Sequence, residues 1–230
     1  MTDASGNKVS SDISSSFGIF ILMTIIYSTL KIIFGVVGNN MWIAAYLLLT
    51  IIVQWQLNSI IAKDNCDNVP QTQTVVLATL LPWIGVFGLM HIMLMMFPGW
   101  KSPFSNTLGY LIASMSGINR SFVALMETPE AIKQSSQGDK ALLKSIEYLY
   151  TDSSLMINEI TPENFEDAMA RLEPMMSKEG KSNPALKKKF YSFILMKDTI
   201  AECIWLLLTG CMSINIAFST ILNASCSSNK

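Results

Sequence analysis

From Thr74 to Phe97 the chain reads TVVLATLLPWIGVFGLMHIMLMMF, 24 residues without a formal charge at neutral pH. As one α-helix these residues rise about 36 Å, more than a hydrocarbon core of roughly 30 Å requires. The run reads as a membrane span. Pro82, Gly85 and Gly88 are costly in a water-exposed helix. Lipid tolerates them where neighbouring helices or local adjustments satisfy the freed backbone groups, so a kink near Pro82 is expected. Pro98-Gly99-Trp100-Lys101 then ends the span, combining helix breakers with an interfacial aromatic and a positive charge.

Half of the 230 residues are hydrophobic and only 14% are charged, a balance rare in a water-soluble domain. The expected fold class is all-α: a polytopic membrane protein with about four transmembrane helices and a small helical polar domain. Residues 1–16 are expected as a flexible polar tail; Thr2 excludes the myristoylation pattern, and Asp3 and Asp12 are wrong for a signal peptide. Residues 17–62 form a transmembrane hairpin, with spans Phe17–Val37 and Met41–Ala62 joined at Gly38-Asn39-Asn40, and 63–73 form a polar loop. Residues 74–97 are the third span. From Phe104 the semi-apolar run is short for a full crossing, so 98–118 are expected to be interfacial or re-entrant; the alternative is a crossing, which would change the side assignment of everything downstream. Residues 119–189 form a charged helical domain, 190–222 an interfacial turn and a last span from about Thr199 to Leu222, and 223–230 a polar tail.

The charged domain holds 10 Lys or Arg and 11 Asp or Glu, so it is polar yet nearly neutral. Thr128-Pro129-Glu130 and Thr161-Pro162-Glu163 each offer a threonine cap, a proline at the first helical position and an acid in the first turn. After the second, Phe165, Ala168, Met169, Leu172 and Met176 recur near the helical period, and another helix is expected from Ala141 to Tyr150. A segment of this size has limited core, so it is expected to rest on the membrane surface or on a protein partner.

Four crossings put Lys31, Lys101, Arg120, Lys187, Lys188, Lys189 and Lys197 on one side, which the positive-inside rule assigns to the cytosol. Lys31, Trp100, Lys101, Lys187, Lys188 and Lys189 are the candidate membrane-interface residues. Cys66 and Cys226 share the opposite side; they pair as a disulfide if that compartment is oxidising, and otherwise all four cysteines stay free. Asn119-Arg120-Ser121 and Asn223-Ala224-Ser225 match glycosylation acceptors, the first on the cytosolic side and the second very close to lipid.

The polar residues inside the spans are few. Gln54, Gln56, Asn58, His91, Glu202 and Asn215 are the candidates for interhelical polar contacts. Asp198 and Glu202 stand four residues apart and repel on one face, so one of them is expected to face the aqueous surroundings of Lys197 or an interface that raises its protonation. His91 is the only histidine, set among Met90, Met93, Met95 and Met96, and no multi-histidine set, CxxC, HExxH or phosphate loop occurs. No catalytic, cofactor or metal residue is assigned, and the charge distribution shows no broad nucleic-acid footprint.

The stretch Phe97-Pro98-Gly99-Trp100-Lys101-Ser102-Pro103-Phe104-Ser105-Asn106-Thr107-Leu108-Gly109-Tyr110, with the spans before it, resembles small multi-span proteins of large nucleocytoplasmic DNA viruses, including those of algae. The likeness covers residues 40–115. It implies an inner-membrane virion protein, or membrane-associated minor capsid protein, beneath an icosahedral shell, assembled at the host endoplasmic reticulum. The expected function is therefore non-enzymatic: a structural protein linking a membrane to a protein assembly, with the lipid bilayer and capsid proteins as partners. The alternative is an oligomeric channel or transporter subunit, a homo-oligomer whose first pore candidates are Gln54, Asn58, Ser213 and Asn215.

Overall fold

The computed structural model of the chain describes residues 3–35, 40–66, 69, 71–128, 130–131, 144, 147–148 and 150–226. Among these the protein is all-α, without a named strand. Four helices are long and apolar enough to cross a membrane, as a multi-pass membrane protein requires. α1 runs Asp3–Phe34, with its apolar span at Ile13–Phe34, and α2 runs Asn40–Asn65. α3 covers Thr72–Met96, and its middle, Leu81–Gly88, is π-helical. Pro82 has no N–H to return to the preceding turn, and at the expected kink the helix widens. A 3-10 turn, Pro98–Lys101, follows.

α4 covers residues 102–116 and ends on Gly117, whose φ of +108° supplies the left-handed stop. α5 is Ile118–Val123, α6 Ser154–Glu159, α7 Phe165–Leu172 and α8 Lys178–Ser182. α9 is one helix of 39 residues, Pro184–Leu222. It opens with proline at its first position, and the Asn183 side chain accepts from the Ala185 N–H at 3.0 Å.

Several expectations change. The polar residues before the first span are helical from Asp3, and Ser16 is buried, its hydroxyl donating to Gln54 Oε1 at 2.8 Å and tying that turn to α2. α9 is unbroken where a separate interfacial turn was expected. α7 begins at Phe165, three residues beyond Pro162. Thr161 N–H donates to Asn164 Oδ1 at 2.8 Å and Asn164 N–H to Thr161 Oγ1 at 3.3 Å, which closes a turn first. Thr128 does cap as expected, accepting from Ala131 N–H at 3.3 Å. Most of 141–150, and the connection at 36–39, lie outside the described residues.

The described residues fall into two compact units, one within 1–30, 38–100 and 202–230, the other within 31–37 and 101–201. The first has an aromatic core of Phe20, Tyr27, Tyr46, Trp83 and Phe87 with Leu206 and Ile214. Phe20 meets Trp83 edge-on at 5.5 Å, and Tyr27 stacks on Tyr46 at 4.6 Å. Gly210 makes this possible, since a β-carbon there would fall inside the Phe20 ring. The second has its own core, including Ile118, Phe122, Leu125, Ile157, Phe165 and Met169 closed by Phe190 and Ile194 of α9. The charged segment is thus better packed than its length suggests, because α4 and the start of α9 join it.

In the first unit Cys66 and Cys226 form a disulfide, and Asn65 donates to Ile221 O at 3.2 Å beside it. Cys203 and Cys211 are free and half-buried. Non-reducing electrophoresis is expected to show a mobility that shifts on reduction, with the shift abolished in Cys226→Ser. Identical mobility with and without reductant would contradict the pairing.

Candidate functional site

The most organised polar cluster lies in the second unit where α9 joins its core. Lys101 donates to Asp198 Oδ2 at 2.8 Å and stands 3.8 Å from Glu163. The Lys101 and Asp198 side chains are 12% and 9% exposed, so this pair is well shielded from water, whereas Glu163 is an exposed rim. Lys197, the next residue, is 1% exposed. Its ammonium donates to Ile157 O at 2.9 Å and Asn158 O at 3.3 Å, the carbonyls at the end of α6. Cations favour that end of a helix, where carbonyls have no further intrahelical donor. Lys197 therefore does not have the aqueous surroundings that the sequence suggests; it is a buried bolt between α9 and α6.

α4 fits the same junction by its three faces. Ser105, Gly109 and Ala113 are buried, and a β-carbon on Gly109 would overlap the Lys197 carbonyl oxygen. Leu108, Leu111, Ile112 and Met115 form an apolar stripe that stays outward, with Met115 82% exposed. Tyr110 packs against the apolar core of the charged unit and donates to Asn119 Oδ1 at 3.0 Å. Asn119 also accepts from Ser153 at 3.3 Å and donates to Ser114 at 2.9 Å, so both the oxygen and the nitrogen of this acceptor motif's amide are bonded. Next to it, the amide and hydroxyl of Ser154 bond Asp152 and hold its exposed carboxyl below the usual carboxylate range. A cavity of about 390 Å³ opens among Tyr110, Arg120, Tyr150 and Asp152. Another of about 350 Å³ has Met156, Ile160 and Leu172 as its floor and Glu159, Asp167 and Arg171 at its rim.

In the first unit several buried polar groups bond to neighbouring helices, whereas the Ser28 hydroxyl and the indole N–H groups of Trp83 and Trp205 have no hydrogen-bond partner among the described residues. Gln54 takes Ser16, Asn58 donates to Thr79 at 2.9 Å, and Tyr27 donates to Glu202 at 3.3 Å. Thr24 and Tyr46 share a 2.7 Å bond, and the Ser213 hydroxyl donates to Pro82 O at 3.2 Å. His91 is half-buried on α3. Gln56 and Asn215 differ from the rest: both are exposed, and Asn215 donates to Cys211 O of its own helix at 2.9 Å. Of the interface candidates, Trp100 is 44% exposed and Lys188 and Lys189 are exposed, while Lys31 and Lys187 are half-buried.

No group of three or more His, Cys, Asp or Glu side chains is arranged to hold a metal ion among the described residues. No protein-family model, curated protein or solved structure matches the chain. Sequence spacing did not identify Glu163 or Thr24 as partners, because each meets its contact across more than twenty residues of chain. The one available signal for Lys197 was its place in an apolar run.

Substituting Lys101→Met should destabilise by about 3–5 kcal/mol, since Asp198 is left buried without its cation. Adding Asp198→Asn should recover part of that loss, with a coupling of about 1–3 kcal/mol by unfolding in detergent. Strict additivity would show that the pair does not hold this junction.

Proposed function

We propose that the protein is a non-enzymatic structural membrane protein linking a bilayer to a protein assembly. Following the resemblance at Phe97–Tyr110, the bilayer is the inner membrane of a virion, acquired at the host endoplasmic reticulum, and the assembly is its capsid shell. One observation carries the reading: α9 supplies Phe190 and Ile194 to the core of a charged unit and Leu206 and Ile214 to the core of an apolar one. One unbroken helix thus contributes to both cores. The apolar floor and charged rim of the 350 Å³ cavity suit an anchoring side chain of a protein partner flanked by charges.

The channel reading has less support. Gln54, Asn58 and Ser213 form their hydrogen bonds within one chain's bundle, which leaves them poor candidates for lining a pore shared between copies.

Cross-linking in the native particle or membrane is expected to join Lys144 or Lys178 to a shell protein, as also Lys133 and Lys140, which lie outside the described residues. The purified protein in liposomes should pass no solute. Flux that is abolished by a Gln54 substitution would overturn the structural reading.

A further inference from the structure

On the outer face of α2, Leu49, Ile52 and Ile60 are 55%, 58% and 52% exposed, as suits side chains meeting lipid. Gln56 occupies the same stripe between Ile52 and Ile60 and is exposed too. Its amide forms no hydrogen bond with another described residue. Its depth follows from the end of the helix. Asn65 is level with Ile221, to which it is bonded, and Gln56 lies nine residues earlier on α2. At 1.5 Å per residue this is roughly 13 Å below that level and, with the span ending at Ala62, about 9 Å inside a 30 Å core. The side chain also leans towards the N-terminus of its helix, away from the nearer surface. Neither water nor a headgroup is within its reach, and an unbonded amide in hydrocarbon is strongly unfavourable.

We propose that this face of α2 is the docking surface for a second copy of the chain, with Gln56 of each copy bonding Gln56 of the other across a two-fold axis normal to the membrane. Copies insert in the same orientation, so a second chain brings an identical amide to the identical depth. An amide carries both donor and acceptor, and is therefore complementary to itself across a two-fold axis. A partner of other sequence would need a polar group at that level by coincidence. Ala45, exposed on the same stripe, lets the two backbones approach. Asn215 makes a weaker claim to this role because its amide already donates to Cys211 O. The surface holds whichever partner engages the charged unit.

Energy transfer between donor- and acceptor-labelled copies in phosphatidylcholine liposomes, across a range of protein-to-lipid ratios, tests this. The parent should dimerise, Gln56→Leu should raise the half-association point about tenfold, and Asn215→Leu should leave it unchanged. A reduction-sensitive electrophoretic mobility reports that each variant keeps the Cys66–Cys226 bond. A parent that stays monomeric, a Gln56→Leu variant that associates like the parent, or association lost only in Asn215→Leu would overturn the proposal. Should Gln56→Leu not fold, Ile60→Cys with the amide intact decides: cross-linking between copies by a short bifunctional thiol reagent is expected, and its absence overturns the proposal.

Discussion

The ammonium of Lys197, bonded to the last carbonyls of α6, is the contact on which continuity between the polar core and α9 depends. A lysine beside an aspartate in an apolar run is a place where a helix is expected to break towards water. Here each charge has a partner: Lys197 takes two carbonyls and Asp198 takes Lys101. With both charges answered locally, nothing forces the backbone to turn, and α9 runs its full 39 residues. Gly109 completes the junction, since only a residue without a β-carbon lets α4 lie against the Lys197 carbonyl.

The apolar unit obeys the same rule in a different solvent. In hydrocarbon every amide and hydroxyl needs a partner inside the protein. Ser16 with Gln54, Thr24 with Tyr46, Asn58 with Thr79 and Tyr27 with Glu202 meet that demand between helices, and they cross-link the bundle around its aromatic core. At Pro82 a backbone irregularity is used rather than merely tolerated, because its carbonyl accepts the Ser213 hydroxyl. Gln56 differs in facing outward from the bundle, which is why its surface calls for a second chain.

Much of the fold was legible in the sequence because the bilayer imposes a length rule. Uncharged runs such as Thr74–Phe97 announce spans whatever packs beside them, and Gly117 marks where the shorter run that follows stops. The same information does not reach pairings. Whether a lysine is solvated or bolted to carbonyls depends on which helix comes to lie against it, and Lys197 meets residues 40 positions away. The helix start expected at Thr161 moved for a local reason, while that at Thr128 held: Thr161 and Asn164 satisfy each other and use up the cap before α7 begins. Gln54 and Gln56 look alike in sequence, and the two-residue offset on a helix sends one inward to Ser16 and the other outward.

Crossing by all four apolar helices would leave Ser182 and Cys66 exposed on opposite faces of the bilayer. Labelling in sealed vesicles of known orientation tests this directly, using Ser182→Cys and, after reduction, Cys66 with a membrane-impermeant thiol reagent. The account predicts that the two thiols react from opposite faces. Reaction of both from the same face would require a different number of crossings and would contradict it.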